Sequence, residues 1–231
     1  MKKLGLVGGM GPESTIPYYR EIVYGVQNKL GKSCFPYLTI ESVDVFEVLG
    51  LCGEGRYDEL TDYLMVAINN LIRSGADFVA LSANTPHIVF DRLQKKSSVP
   101  LVSIVEATRD EALRQGKHKL GLLGTIFTMT GDFFKEPFRE KEIEIVTPTA
   151  KEMEYINEKI STELELGVVK EETLKSFQNI IERMKADSGI EAVVLGCTEL
   201  SLLLNDEVSP VPCLDTMKIH IETLIEMIVA H

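Results

Sequence analysis

Short apolar runs alternate with amphipathic stretches along the chain, and this pattern predicts strands that alternate with helices. The runs Lys3–Val7, Phe78–Leu81 and Ala192–Leu195 have the length and composition of strands buried on both faces. Residues 57–74 and 170–187 instead repeat apolar side chains at helical spacing, and a glycine follows each stretch. The alternation predicts an α/β fold with parallel sheets covered by helices on both faces.

The same pattern occurs twice in the chain. Three pairs of segments align in the same order: 75–85 with 189–199 at a shift of 114 residues, 3–8 with 119–124 at a shift of 116, and 99–100 with 211–212 at a shift of 112. A single match of this kind would be weak, because all βα units look alike. Three matches at nearly one shift indicate that one unit was duplicated.

The duplication predicts two pseudo-symmetric parallel-sheet α/β lobes. We expect an N-terminal lobe of residues 1–108, joined by a C-terminal helix of residues 216–231, and a C-terminal lobe of residues 109–215. Ligands of open parallel sheets bind beyond the carboxyl ends of the strands. The shift of 114 residues pairs Ala83 with Cys197 at two such ends. We therefore expect these two positions to face one small ligand from opposite sides of a cleft.

Cys197 follows an apolar strand directly and precedes a leucine-rich segment, Leu200–Leu204, that suggests a buried helix. A thiol at such a junction lies near unpaired backbone N–H groups and the positive end of the helix, which lower its pKa. Cys197 is therefore the candidate catalytic residue, and the alternative is a packed structural cysteine. The four cysteines show no CxxC pair and no zinc-type spacing, so we expect no metal.

Polar side chains follow the other predicted strands at equivalent positions. Hydroxyl and amide groups there suit a carboxylate ligand together with the backbone N–H groups, and the candidates are Asn84, Thr85, Thr125, Thr128 and Thr198. Each could equally be an ordinary helix cap. His87 is a candidate either for catalysis or for a structural hydrogen bond.

Charge and composition narrow the classes of function. The 231 residues carry a net charge of −11, which argues against nucleic acid or an anionic membrane as a partner. No apolar run approaches the roughly 20 residues that a membrane helix needs. The apolar stretch Leu4–Val7 is too short for the core of a signal peptide, so we expect a cytoplasmic protein.

The glycine-rich loop of residues 8–15 invites comparison with a dinucleotide-binding turn. Its glycines do not have the G-x-G-x-x-G spacing, and no Walker lysine follows. Glu13 at the start of the next helix would also repel a pyrophosphate. We therefore expect no nucleotide cofactor.

Three motifs resemble those of the aspartate/glutamate racemase family of cofactor-independent amino-acid racemases: GGMGPEST at 8–15, NTPH at 84–87 and GCTE at 196–199. The resemblance runs along the whole chain. It implies a small carboxylate or amino-acid substrate, no pyridoxal phosphate and a homodimer. Cys197 would act as acid and base, and Met10, Ala83 and the polar residues named above would contact the substrate. Dipoles would stabilise the enolate-like charge that develops.

The chain departs from the family pattern at the first thiol position. Members commonly use two facing cysteines, and relatives with a threonine at the first position are known, but this chain has Ala83. Alanine transfers no proton, so Thr85 or a bound water would have to substitute. The segment Val48–Glu54, often polar in the family, is largely apolar here.

Three hypotheses follow. The first is a cofactor-independent racemase. The second is an enzyme with a single cysteine that protonates one face, as in the arylmalonate decarboxylases that resemble this fold. The third is a homologue that binds a carboxylate without catalysis.

Overall fold

The computed structural model describes residues 1–230, and the chain divides into two compact units. Unit 1 contains residues 1–104 together with the chain from Met217 onward, and unit 2 contains Val105–Thr216. Each unit is an α/β structure built on one four-stranded parallel sheet. The predicted fold class is therefore confirmed.

Unit 1 follows the order that the hydrophobic pattern predicts. Its elements are β1 (Leu4–Gly8), α1 (Pro12–Leu30), β2 (Leu38–Ser42), α2 (Val45–Gly53), α3 (Tyr57–Arg73), β3 (Phe78–Leu81), a 3₁₀-helix (Thr85–Val89), α4 (Phe90–Lys96), β4 (Leu101–Val102), and the C-terminal helix α10 (Thr216–Val229), whose first residue belongs to unit 2.

Unit 2 repeats the succession. Its elements are α5 (Ile104–Arg114), whose first residue belongs to unit 1, β5 (Lys119–Gly124), α6 (Ile126–Thr130), α7 (Asp132–Arg139), β6 (Glu144–Val146), α8 (Ala150–Thr162), a 3₁₀-helix (Leu164–Leu166), α9 (Glu171–Ser188), β7 (Ala192–Gly196), a second 3₁₀-helix (Thr198–Leu202) and β8 (Cys213–Asp215).

The two sheets have the same strand order and the same register. The orders are β2-β1-β3-β4 and β6-β5-β7-β8. Leu4 lies beside Phe78 in the first sheet, and Leu120 lies beside Ala192 in the second. Val79 pairs with Leu101, and Val193 pairs with Cys213. These pairs reproduce the shifts of 116, 114 and 112 residues read from the sequence, as a duplicated unit requires.

Helices cover both faces of the unit 1 sheet. On one face, Leu4 and Leu6 of β1 pack with α1 and with Ile221 and Leu224 of α10. On the other face, β1 approaches α3 so closely that a Cβ at Gly5 would lie 2.9 Å from the Cβ of Leu71. The final helix thus completes the core of unit 1, because its buried face replaces solvent over the sheet.

Helices α8 and α9 cover one face of the unit 2 sheet. Ile156 and Ile160 of α8 and Phe177 of α9 form one hydrophobic cluster with Val193 and Leu195 of β7. The segment after β7, which was predicted to be a buried helix, contains the 3₁₀-helix Thr198–Leu202. Leu200, Leu203 and Leu204 are buried, whereas Leu202 is 41% exposed. Within residues 1–230, no helix combines the length and the apolar character needed to cross a bilayer.

Candidate active site

Two glycines bring the ends of β5 and β7 together in unit 2. Gly124 and Gly196 are neighbours in the sheet. A Cβ on Gly124 would lie 2.9 Å from the carbonyl oxygen of Gly196, and one on Gly196 would lie 2.8 Å from the carbonyl oxygen of Leu123. Side chains are therefore excluded at both positions. The first side chain beyond the end of β7 is that of Cys197, whose backbone is extended.

Cys197 is hydrogen-bonded to Glu199, its neighbour two residues along the chain. The thiol donates to Oε2 of Glu199 at 2.9 Å, and the hydroxyl of Thr198 donates to the same oxygen at 2.8 Å. All three residues are buried, with Cys197 7% and Glu199 5% exposed. A 3₁₀ turn starts at Thr198, and its tight geometry folds the glutamate back toward the thiol.

The expected lowering of the Cys197 pKa is wrong. Burial raises the pKa of this thiol well above its usual range, and the negative charge of Glu199 raises it further. The helix that follows Cys197 is only five residues of 3₁₀ geometry, so its dipole is small. The resting pair is therefore a neutral thiol that donates to a carboxylate.

A second carboxylate, Glu165, acts on this pair from the neighbouring 3₁₀-helix, Leu164–Leu166. The pKa of Glu165 is raised, first by partial burial and then by the charge of Glu199. Its charge contributes in turn to the raised pKa of Cys197. The sequence pattern indicated neither glutamate as a partner of the thiol, although Glu199 lies within the GCTE motif at 196–199.

The two threonines after β5 lie at the same end of the unit 2 sheet. Thr125 is the N-cap of α6, and its Oγ1 accepts from the backbone N–H of Thr128 at 3.4 Å. The two hydroxyl oxygens are 3.2 Å apart. The backbone N–H of Ile126 donates to Oδ1 of Asn157 at 2.8 Å. Thr125 thus serves as a helix cap, and Asn157 is a polar group at this end that no local pattern indicated.

In unit 1, the equivalent strand end carries Ser82, Ala83, Asn84 and Thr85. The backbone N–H of Ser82 continues the sheet by donating to the carbonyl of Val7 at 3.0 Å. Ala83 is partly exposed, whereas Asn84 and Thr85 are buried at the start of a 3₁₀-helix. The structure thus brings these predicted residues together at the end of β3.

His87 is a structural histidine. Its Nε2 accepts from the backbone N–H of Ile104 at 3.2 Å, so its Nδ1 carries the proton and donates to the carbonyl of Ala83 at 3.0 Å. The ring also stacks on Phe90. Burial lowers the pKa of His87 to about 4. Because both ring nitrogens bond to backbone, the histidine positions the loop that carries Ala83.

The glycine-rich loop closes over the end of β1. Gly9 has a φ of +80°, and a Cβ there would lie 2.3 Å from the carbonyl oxygen of Val43. Its N–H donates to Oγ1 of Thr15 at 3.0 Å, and that hydroxyl lies 3.5 Å from Oγ of Ser82. The side chain of Met10 is buried. The glycines therefore shape a tight turn that anchors its own backbone.

The segment Val48–Glu54 forms most of α2 and the residue after it. Val48, Leu51 and Cys52 are buried in it, as its apolar character predicts. Among residues 1–230, no three His, Cys, Asp or Glu side chains group as metal ligands would.

The two strand ends differ in their chemistry at equivalent positions. The shift of 114 residues pairs Ala83 with Cys197 and Thr85 with Glu199. Unit 2 therefore has a thiol and a carboxylate where unit 1 has a methyl group and a hydroxyl. Of the two strand ends, only that of unit 2 has a thiol hydrogen-bonded to a carboxylate at these positions.

Comparisons with known proteins show which family the chain resembles. The model of the Asp/Glu/Hydantoin racemase family matches residues 7–224. The broad specificity amino-acid racemase RacX of Bacillus subtilis is 25% identical over 226 residues, which are 92% of each chain. A candidate Asp/Glu racemase from Yersinia pestis has a crystal structure with 35% identity and a TM-score of 0.92. An aspartate racemase homologue from Pyrococcus horikoshii OT3 shows 39% identity and a TM-score of 0.84. Both structural comparisons cover the whole of each chain.

Proposed function

The chain belongs to the Asp/Glu/Hydantoin racemase family, and from this premise we propose that it is an amino-acid racemase that works without a cofactor. Cys197 would transfer the proton at the α-carbon of the substrate. The observation that carries the proposal is the buried thiol of Cys197, which donates to Glu199 at the end of a parallel strand. Ligands of such sheets bind beyond the carboxyl ends of the strands.

Proton removal at an α-carbon requires a base and a group that stabilises the developing charge. Cys197 would supply the base, and polar groups at the strand ends would hold the carboxylate of the substrate. We assign this role to Thr125, Thr128 and Thr198 of unit 2 and to Asn84 and Thr85 of unit 1. Met10 and Ala83 would be apolar contacts of the substrate, as the family resemblance implies. Backbone N–H groups and hydroxyls directed at a developing negative charge are the usual means of stabilising it.

The substrate class is broader than aspartate and glutamate in this proposal. The relative from Bacillus subtilis is named a broad specificity amino-acid racemase. The apolar α2 also carries no cationic side chain that would select a second carboxylate. Neutral amino acids therefore belong in any substrate screen.

A second candidate is proton transfer at one face only. Racemisation needs a proton donor on each face of the α-carbon, and the position that repeats Cys197 is Ala83. Thr85, the counterpart of Glu199, has a hydroxyl of high pKa. The absence of a thiol and a carboxylate at these two positions favours a one-base enzyme over a symmetric racemase.

One experiment tests both candidates. The protein is incubated with each L- and D-amino acid in D₂O, while α-deuteration is followed by NMR and enantiomers are separated by chiral chromatography. Racemisation with deuterium uptake supports the first candidate, and deuteration with retention of configuration supports the second. A protein that catalyses neither with any amino acid would refute both, and Cys197→Ala is the negative control.

We also propose that the protein is a homodimer, as the family resemblance implies. Unit 1 exposes aromatic side chains around α1, and Tyr24 and Phe35 form an edge-to-face pair while each is more than half exposed. Such side chains are enriched at interfaces. Sedimentation should give about twice the mass of one chain, and Tyr24→Glu should shift the equilibrium toward monomer. A monomeric wild type at micromolar concentration would refute this proposal.

A further inference from the structure

Glu199 has no role in the proposed function beyond being the neighbour of the catalytic thiol. We infer that Glu199 is the direct proton acceptor of Cys197, so that thiol and carboxylate act as one acid–base pair. The inference rests on the proposed function and adds a residue to its chemistry. It assigns the generation of the thiolate to a side chain and not to the end of a helix.

The geometry supports direct transfer. The distance of 2.9 Å between Sγ and Oε2 is short for a thiol donor, and both groups are buried. The same carboxylate oxygen accepts from Thr198 at 2.8 Å, which holds it in place. Sγ of Cys197 and Oγ1 of Thr198 thus converge on one oxygen, and a proton can move along the Sγ–Oε2 line without rearrangement.

The charges explain why an acceptor is needed. Burial and two carboxylates, Glu199 and Glu165, raise the pKa of Cys197 well above its usual range. A free thiolate would therefore be a minor species at neutral pH. Proton transfer to Glu199 leaves the net charge of the Cys197–Glu199 pair at −1. The negative charge moves from the carboxylate oxygen to the sulfur, where it can act as the base for a bound substrate.

The step balances as a simple proton transfer. The S–H bond of Cys197 breaks and an O–H bond forms on Glu199, which leaves a thiolate beside a neutral carboxylic acid. The thiolate then takes the α-proton of the substrate, whose C–H electron pair becomes the enolate-like carbanion. No electron is exchanged. When the substrate is reprotonated on the same face, the carbanion takes a proton from the Cys197 thiol, and the thiolate recovers its own proton from Glu199. When water protonates the carbanion on the other face, Glu199 releases its proton to the hydroxide that remains. Both routes restore the resting thiol and carboxylate.

The unit 1 strand end gives an internal comparison. Its residues at the corresponding positions are Ala83 and Thr85, so both members of the pair are missing together. The thiol and the carboxylate are thus both absent from unit 1. This is expected if the two groups act together, because a carboxylate beside Ala83 would have no thiol from which to accept a proton.

The test separates an acceptor from a group that only sets the local charge. Glu199→Gln keeps the size of the side chain and removes the charge and the basicity. Because Glu199 raises the pKa of the thiol, the variant should titrate at lower pH, as measured by thiolate ultraviolet absorbance relative to Cys197→Ser. Deuterium exchange at the α-carbon of the preferred amino acid should nevertheless fall by about 10²-fold or more, since a general base is typically worth about 10²–10⁴ in rate.

The matched control is Glu165→Gln. It also removes a carboxylate that raises the pKa of Cys197, but none of its hydrogen bonds reaches the thiol among those described. The thiol should again titrate at lower pH, while exchange should be retained. Glu199→Asp keeps the carboxylate on a shorter side chain and should retain part of the exchange. This second variant at the same position shows whether the loss in Glu199→Gln comes from the missing carboxylate or from misfolding.

Three outcomes would overturn the inference: an unchanged thiol titration in Glu199→Gln, exchange that is retained or increased in that variant, or equal losses in Glu165→Gln. A wild type that exchanges no α-proton refutes the proposed function. In that case the inference falls with the proposed function on which it rests.

Discussion

At the scale of single residues, the chemistry of the site depends on which neighbour each side chain meets. Cys197 was identified by its position after a strand, but its protonation state is set by the carboxylate of Glu199 and by burial. The position that repeats it in unit 1 is Ala83, where the proposed racemisation would require a second proton donor. Both positions can be tested by substitution.

Installing a thiol at the repeated position should increase racemisation. We expect Ala83→Cys to raise the racemisation rate of the preferred amino acid by about 10²-fold, because a second acid or base of suitable pKa is typically worth about 10²–10⁴ in rate. Chiral chromatography measures the racemisation rate. Adding Cys197→Ala should abolish racemisation in both the wild type and Ala83→Cys. Ala83→Ser is the size-matched control. A normally folded Ala83→Cys that shows no gain would mean that position 83 is not the vacant base.

The reactivity of the cysteines should follow exposure and pKa. Burial raises the pKa of Cys52 to about 11, and Cys197 is also buried with a raised pKa. Cys34 and Cys213 are partly exposed. Iodoacetamide at neutral pH should therefore label Cys34 or Cys213 before Cys197, as peptide mass mapping would show. Labelling of Cys197 first would contradict the protonated state assigned to it.

At the scale of elements, a buried ion cluster joins α8 to α9. Glu163, directly after α8, accepts from Nζ of Lys159 at 2.9 Å, from Nζ of Lys170 at 3.0 Å and from the hydroxyl of Thr173 at 2.6 Å. Glu163 is 3% exposed. These contacts lower its pKa to about 2, with the Thr173 hydrogen bond as the largest cause. The cluster therefore fixes the turn that carries Glu165, whose charge affects the pKa of Cys197.

Removing this charge should destabilise the protein in a pH-dependent way. We expect Glu163→Gln to lower the free energy of unfolding by about 1.5–3 kcal/mol at pH 7, the range for hydrogen bonds to charged groups. A lowered carboxyl pKa stabilises the fold above the unfolded value of about 4.3, and this contribution disappears as the pH falls toward 2. Urea unfolding at pH 7 and pH 3 measures the difference.

The control for this prediction is Glu171→Gln. Its partner is Lys175, and both side chains of that pair are largely exposed, so little effect is expected. If Glu163→Gln and Glu171→Gln are equally stable at pH 7, the cluster does not stabilise the turn.

At the scale of the whole molecule, two buried histidines make folding sensitive to acid, and both lie in unit 1. His220 of α10 accepts from the hydroxyl of Tyr18 at 2.7 Å and donates to the carbonyl of Val102 at 3.2 Å. Burial, followed by the charge of His87, lowers the pKa of His220 to about 3. The pKa of His87 is lowered to about 4. The fold thus requires both rings to be neutral.

Stability should therefore fall below pH 6.5. Each histidine binds a proton near pH 6.5 in the unfolded chain but only near pH 4 (His87) or pH 3 (His220) in the folded chain. The free energy of unfolding is therefore fully retained above pH 6.5, and it falls as the pH decreases from 6.5 toward these folded-state values. At pH 5 the loss is about 2 kcal/mol for each histidine. Urea unfolding followed by tyrosine fluorescence measures this, and six of the seven tyrosines lie in unit 1.

His220→Gln should reduce this pH dependence, even though it destabilises the protein at pH 7. His118→Gln replaces an exposed histidine and should leave the dependence unchanged. A wild type whose stability is the same at pH 7 and pH 5 would contradict the neutral state of both rings.

The sequence by itself determined the fold class, the duplication and the two strand ends that carry Ala83 and Cys197. Apolar periodicity is a local property, so β3, β7 and the helices before them could be read from runs of a few residues. The shifts between the repeats, which predicted the duplication, recur in the register of the two sheets. Cys197 was identified for the same reason, because its place after a strand is visible in the chain.

Only the tertiary structure decided the protonation of the site and the roles of its histidines. Tyr18 and His220 are 202 positions apart, and no local pattern connects them. Even Glu199, two residues from Cys197, was not indicated by the sequence as the partner of the thiol, and the contact is seen only in the folded 3₁₀ turn. A pKa depends on burial and on every nearby charge, and both are properties of the folded chain, so the sequence indicated the reactive residue but not the sign of its pKa shift.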